Sequence, residues 1–291
     1  MIEKKINLTP FGICLIKEKS FNANSSELVN LLANHFVVVI KNFAFNEIPD
    51  YIHFIEKLGK PFTGSMWCSH PQTKAIQIVT NKKIGEKKMP GLFSGAKLEW
   101  HTNGLFCDNP EQIVCLYCKT PGDSVTQFLD TTLALKHIRK SSDIDIDDIM
   151  VEISNSSTKT ILKETVYDPL PKHEQLDISK HRYRDKGIEN SNLINKNFTQ
   201  IKSLIQKHPI TGAEGLFFPK FNISKIFSKK TQKPLNKEFF KLCELIFREE
   251  FIYTHQWEKG DLILCDQILT LHKRSKQIGE RELYRSALWY H

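Results

Sequence analysis

Phe251-Ile-Tyr-Thr-His-Gln256-Trp-Glu-Lys-Gly260-Asp-Leu-Ile-Leu-Cys265-Asp-Gln-Ile-Leu-Thr-Leu-His272 decides the fold. Short runs rich in β-branched and aromatic residues, bounded by turn formers, read as strands at Phe251–Gln256, Asp261–Cys265 and Ile268–His272. Glu258-Lys-Gly-Asp261 supplies the tight turn between the first two. Leu283–Tyr290 adds another strand.

Working outward, Ile113–Cys118 and Val125–Leu129 are strands, and Asp130 caps a helix running to about Ile138. Upstream, Phe36–Ile40 and Lys74–Val79 are strands. Ser25–Asn34 and Asn46–Leu58 are amphipathic helices, with Leu28, Leu31 and Leu32, then Ile48, Ile52, Ile55 and Leu58, at helical spacing. Asn236–Glu249 is a further helix with Phe239, Leu242, Cys243 and Ile246 inward. Asn81–Gly95 reads as a mobile, Lys- and Gly-rich loop. Residues 141–195, rich in Asp, Ser, Lys and Asn, read as an insertion or lid within one domain spanning 1–291. Widely spaced strands with helices gathered toward the N-terminus predict an α+β chain built on a β-sandwich or jelly roll with flanking helices.

The bulk numbers narrow the function. The chain has 291 residues, 40% of them hydrophobic, enough for a sizeable core. A net charge of +8 favours anionic partners. The lysines are scattered and no basic block is interleaved with aromatics, so nucleic acid is not expected. No signal peptide or membrane span is read. Seven scattered cysteines point to a reducing cytoplasm. Cys115-Leu-Tyr-Cys118 lies on a strand, where residues three apart face opposite sides, so it reads as two buried thiols and not a metal clip.

The chemistry lies in Leu98-Glu-Trp-His101-Thr-Asn103-Gly104 together with His272, Arg281 and Arg285. His101 and residue 103 share a face of an extended segment, and His272 ends an apolar strand. A histidine, a short oxygen-bearing side chain two residues on and a distant second histidine is the ligand order of a mononuclear iron(II) site. A jelly roll can set His101 and His272 on neighbouring strands. Arg281 and Arg285, four apart, share a face and suit carboxylates.

These blocks resemble the taurine dioxygenase (TauD/TfdA) family of Fe(II)/2-oxoglutarate-dependent dioxygenases. The family pattern runs W-H-x-D, a G-D-T-like segment, H-P-x-T-G, then W-x-x-G-D, D-N-x-x-x-x-H and paired arginines. Here these are Trp100-His101-Thr102-Asn103, Asp123-Ser-Val-Thr126, His208-Pro-Ile-Thr-Gly212, Trp257-Glu-Lys-Gly260-Asp261, Asp266-Gln267 with His272, and Arg281-Glu-Leu-Tyr-Arg285. The resemblance covers residues from about 30 to 291. It implies a double-stranded β-helix, with His101, residue 103 and His272 on iron. It also implies that Thr126 and Arg281 hold the distal carboxylate of 2-oxoglutarate, and that Arg285 serves an anionic prime substrate or the co-substrate. His208 and Trp257 match positions that are structural or pocket-forming.

The chain departs from the pattern at Asn103, where an aspartate is expected. A neutral amide removes one negative charge and weakens iron. Four outcomes are compatible with it: a weak ligand in a working oxygenase, a two-histidine site open to halide or water, a non-catalytic or engineered relative, or recovery of Asp by deamidation at Asn103-Gly104. The expected reaction is hydroxylation or desaturation of a small acidic or amino-acid-derived metabolite in secondary metabolism. A desaturase of isonitrile biosynthesis, a halogenase-like variant and a binding protein without turnover are the alternatives. Met66, Trp67 and Phe93 are candidate pocket residues, and a homo-oligomer is compatible with the sequence.

Overall fold

The computed structural model describes residues 2–17, 25–64, 68–84, 89–93, 95–106, 109–166 and 199–291. In chain order its first half comprises β1 (Ile2–Asn7), β2 (Ile13–Lys17), α1 (Ser25–His35), β3 (Val37–Ile40), α2 (Ile48–Glu56), β4 (Lys60–Pro61), β5 (Ser69–His70), β6 (Thr73–Thr80), β7 (Lys83–Ile84), β8 (Met89–Pro90), β9 (Leu98–His101), β10 (Ile113–Thr120), β11 (Val125–Asp130) and α3 (Thr131–Ser141). There follow β12 (Ile149–Ser154), β13 (Thr199–Ser203), β14 (Ile205–Lys207), β15 (Glu214–Leu216), β16 (Ile223–Ser228), α4 (Asn236–Ile246), β17 (Ile252–Gln256), β18 (Leu262–Asp266), β19 (Thr270–Arg274) and β20 (Glu282–Trp289).

Two sheets face each other. The larger runs β1-β2-β3-β18-β10-β20-β6-β5, with β4 on β20, and the smaller runs β17-β11-β19-β9. Period-two alternation sorts their side chains. Leu283, Ile263, Cys265, Val37, Val39 and Cys118 of the larger sheet meet Phe128 of the smaller in the interior between them. The other face of the larger sheet, with Leu262, Leu264, Cys115, Tyr284 and Leu288, packs under α1 and α2. The outer face of the smaller sheet, with Leu129, Leu271 and Ile252, packs on α3, α4 and a three-stranded sheet ordered β13-β12-β16. This is the α+β jelly roll with flanking helices that the strand pattern predicts. Cys115 and Cys118 do fall on opposite faces.

The capping prediction holds at α3, where the Asp130 carboxylate accepts from the backbone N–H groups of Thr132 (2.7 Å) and Leu133 (3.1 Å). The last helix is shorter than its apolar stripe suggests. It ends at Ile246, and Phe247 leaves the axis to stack on Trp100, with ring centroids 5.8 Å apart. Within the stretch read as a lid, Ile149–Ser154 forms the middle strand β12, and Ile149, Val151 and Ile153 are fully buried. Alternating apolar residues every second position was the signal for it. Residues 167–195 of that stretch lie outside the described residues, as do Met66 and Trp67.

Candidate active site

The smaller sheet sets the register of the site. Antiparallel pairing puts His272 of β19 opposite His101 of β9 and, on its other side, opposite Phe128 of β11. Residues directly opposite share a face, so both imidazoles enter the interior. A register shift in the β9–β19 ladder lies between this pair and the pair Arg274–Leu98. Such a bulge re-aims side chains, and here Trp100 turns to the outer core while His101 turns inward.

Hydrogen bonds fix the tautomers. Nδ1 of His101 lies 2.7 Å from the Glu99 carbonyl, which only accepts, so Nδ1 carries the proton. Its Nε2 is buried without a partner. Nε2 of His272 lies 3.4 Å from the Asn103 amide nitrogen, so it too presents a lone pair. The rings sit with centroids 4.2 Å apart. Burial, with Arg274 and Arg285 adding to it, pushes His101 down to about 4, against a smaller opposing pull from the Glu99 carbonyl. His272 is driven well below the ordinary imidazole range by burial and then by His101 and Arg285. Two neutral, buried imidazoles side by side are what a divalent metal takes. No group of three His, Cys, Asp or Glu side chains close enough for a metal occurs among the described residues. The donor set therefore fits as two imidazoles with an amide beside them.

Asn103 is held by Gln267. Its backbone N–H and its Nδ2 both donate to Gln267 Oε1, at 3.1 and 3.2 Å. Thr102 Oγ1 donates to the Gln267 carbonyl at 2.9 Å. Gln267 follows Asp266, the carboxylate that builds the β18–β19 turn. Asp266 Oδ1 accepts from the backbone N–H groups of Ile268 (2.9 Å) and Leu269 (2.6 Å), while Oδ2 accepts from Tyr290 (2.9 Å) and lies 3.1 Å from His208 Nε2. His208 Nδ1 in turn accepts from the N–H groups of Ile210 and Thr211. So the His208 block braces the turn that delivers His272, well behind the two imidazoles.

The other end of the interior is cationic. Arg281 precedes β20 and is tied through its backbone, its N–H donating to Asn81 Oδ1 (3.1 Å) and its carbonyl accepting from Thr80 Oγ1 (2.7 Å). Its guanidinium carbon lies 5.8 Å from the centre of the Trp257 ring, within cation–π range. Trp257 Nε1 donates to Thr126 Oγ1 at 2.9 Å, which leaves the threonine proton free to be donated onward. Arg281 is 3% exposed and its Nε is buried without a partner. Burial and neighbouring Arg274 push its guanidinium down to about 9. An anion there would relieve both effects.

Arg285 is differently placed. Nη1 donates to Gln77 Oε1 at 2.9 Å, and Nη2 donates to Glu111, so its fork is largely taken. Arg274, two residues past His272 on the same face of β19, donates to the carbonyls of Phe93 (2.8 Å) and Ala96. It pins the segment that leads into β9. Sequence reading missed Arg274 and Gln77 and the roles of Glu111 and Gln267. For Arg274 the signal was present, since i, i+2 spacing from His272 places it on the site face.

A fold that seats two buried, adjacent imidazoles on one sheet, with a buried arginine and a threonine meeting the same tryptophan, belongs to the oxygenases that join iron to a 2-oxo acid. The family model "Taurine catabolism dioxygenase TauD, TfdA family" matches residues 14–287. Pentalenolactone F synthase of Streptomyces arenae is 22% identical over 268 residues, covering 90% of this chain and 85% of the relative. A taurine dioxygenase from Burkholderia xenovorans superposes with a TM-score of 0.65 at 16% identity, covering 98% of this chain and 88% of that one. PvcB of Pseudomonas aeruginosa, described as an Fe, alpha-ketoglutarate dependent oxygenase from an isonitrile synthetic pathway, superposes at 0.63 with 14% identity, covering 98% and 90%. The chain belongs to the TauD/TfdA family of iron(II)- and 2-oxoglutarate-dependent dioxygenases. No helix among the described residues is long and apolar enough to cross a membrane.

Proposed function

We propose that this chain uses iron(II) and 2-oxoglutarate to oxidise a small anionic metabolite. In this reading His101 and His272 hold the metal through Nε2, with Asn103 beside it. Thr126 and Arg281 hold the distal carboxylate of 2-oxoglutarate. The observation that carries it is the pairing of two orphaned features. One is Nε2 of His101, buried without a partner next to the His272 ring, the other the buried, unpartnered Nε of Arg281, which shares Trp257 with the free Thr126 proton. Burying such groups unpaired is costly, and metal and co-substrate supply the missing partners.

When bound, iron(II) and 2-oxoglutarate would activate dioxygen, which oxidises the 2-oxo acid to succinate and carbon dioxide and serves as the oxidant for the substrate. The chain's residues do the rest. The Glu99 carbonyl fixes the His101 tautomer, so its lone pair faces inward. Thr126 and Arg281 set how deep the co-substrate sits, and so where its keto-acid end reaches. Phe128, Leu283 and Ile263 line the interior with carbon and exclude water from the reacting centre.

An anionic substrate is supported by charge. Three guanidinium groups, of Arg274, Arg281 and Arg285, are buried here, and residue 103 brings no negative charge. Glu111 and Gln77 hold Arg285 ready for a substrate carboxylate that can displace one of them. The relation to pentalenolactone F synthase supports a role in secondary metabolism.

Iron(II) and 2-oxoglutarate added without oxygen are expected to give the visible charge-transfer band of a chelated complex. Air and a panel of small carboxylic and amino-acid-derived compounds should then release succinate. Absence of the band would sink the site assignment. A band with no succinate from any compound would favour the second reading, a binding protein without turnover, which the neutral amide at position 103 supports.

A further inference from the structure

One backbone atom fixes which way Gln267 faces. The N–H of Asn103 donates to Gln267 Oε1 at 3.1 Å, and a backbone N–H is a donor whatever side chain residue 103 carries. With that oxygen fixed, the side-chain atom of residue 103 lying 3.2 Å from it must also be a donor, and it is Nδ2. A carboxylate in the same rotamer would set two oxygens against each other.

Gln267 has little room to adapt. It is 4% exposed. Its backbone N–H donates to the Gln112 carbonyl at 2.8 Å, its carbonyl accepts from Thr102 Oγ1 at 2.9 Å, and its Nε2 lies 3.3 Å from Cys265 Sγ. A buried array of this kind is satisfied as a unit or not at all. Turning the side-chain amide over would face its NH₂ to the Asn103 N–H, donor against donor. The second proton of Asn103 Nδ2 points toward His272 Nε2, 3.4 Å away.

We propose that Gln267 makes residue 103 an obligate amide. The metal site is then a two-histidine site in which Asn103 donates a hydrogen bond beside the metal and leaves its ligand position to water or a small external anion. On this view Asn103 is not a damaged aspartate, because the chain carries a partner matched to the amide. Gln267 is a positioning residue and acts through Asn103. The proposal rests on His101 and His272 being the metal ligands.

The test uses cobalt(II) as the probe, added to the metal-free full chain, with affinity and visible spectrum as readouts. N103D alone is expected to change cobalt affinity by less than ~3-fold and to lower the melting temperature. In a Gln267→Met background, where the opposing oxygen is gone and side-chain length is kept, N103D is expected to tighten cobalt by at least ~10-fold, the scale on which ligand surroundings act. Azide added to the cobalt-loaded wild-type chain should shift the visible bands as it takes the open position. N103D alone tightening cobalt ~10-fold without loss of melting temperature would overturn the proposal. So would a wild-type spectrum indifferent to azide, a result that does not depend on any variant folding. If His101→Ala and His272→Ala take up cobalt as wild type does, the histidine assignment fails instead, and the two failures are told apart.

Discussion

The Arg281 end and the His101–His272 end of the interior lie between the same two sheets, yet they are finished differently. At the Arg281 end, side chains spell out one missing partner. A guanidinium within cation–π range of Trp257, a threonine proton left over after Trp257 has used the oxygen, and a buried unpartnered Nε suit the carboxylate of the proposed co-substrate. At the histidine end the protein fills part of the gap itself. Asn103 leans on Gln267 and His272, so the proposed metal-binding face is half occupied by an internal hydrogen-bond network. On the proposed assignment, the first end can take a carboxylate with its hydrogen bonds unchanged, whereas the second must give up the Asn103–His272 contact to take a metal. The paired arginines differ on a smaller scale: both have a buried Nε without a partner, but Arg285 has Nη1 and Nη2 engaged by Gln77 and Glu111.

The contrast breaks most visibly if a histidine is removed. His101→Ala or His272→Ala should abolish succinate formation and lower cobalt affinity by more than the ~10–100-fold that loss of a supporting contact costs. Equilibrium dialysis and a succinate assay read the two effects. Next in size is Arg281→Met. It keeps the stem over Trp257 but removes the charge, and should raise the 2-oxoglutarate KM by about 10–100-fold, as expected for a charge-assisted hydrogen bond. Metal affinity measured without co-substrate should stay unchanged, which would show that the two ends are separable. Equal loss of metal in Arg281→Met would break the comparison.

The ends also differ in how they meet protons. His101 and His272 are neutral in the folded chain and titrate near the ordinary imidazole value when unfolded. Because their folded values are lowered, the unfolded chain binds protons first. The metal-free protein should therefore be fully stable above about pH 6.5 and lose stability as pH falls toward about 4, where His101 titrates in the fold. The loss should approach about 3 kcal/mol for His101 over that window. Urea midpoints at several pH values check it, and a His101→Gln chain should show a shallower slope.

What sequence could reveal follows the same division. The jelly roll was legible because short apolar strands are bounded by turn residues, as in Glu258-Lys-Gly-Asp261, whose Asp261 carboxylate accepts from the Glu258 N–H at 2.9 Å. The opposition of His101 and His272 followed from the fold type, and the ladder pairs them directly. Strand β12 was missed because a polar, acidic neighbourhood hid three inward residues at period two. Arg274, Gln77 and the role of Glu111 were missed for a different reason. Spacing from His272 could have placed Arg274 on the site face, but the partners that give all three their roles are far away in sequence, and no local pattern marks them. Gln267 was quoted within a motif, but only the contact between the β18–β19 connection and Asn103 shows that its oxygen is fixed by a backbone N–H.

The finest test of the contrast is Thr126→Val. Thr126 sits opposite Arg274 on β19 and His255 on β17, and its oxygen accepts the Trp257 indole N–H. Valine keeps the β-branched shape of the strand but removes both the acceptor and the spare proton. The indole N–H is then left buried without its acceptor, and the co-substrate carboxylate loses one neutral donor. A neutral hydrogen bond is worth about 0.5–1.5 kcal/mol, so the 2-oxoglutarate KM should rise about 2–10-fold, well short of the Arg281→Met effect. The charge-transfer band should keep its position, because the metal end is untouched. If Thr126→Val moved that band or weakened cobalt, the carboxylate end would be reaching the metal through the sheet, and the two ends would have to be treated as one site.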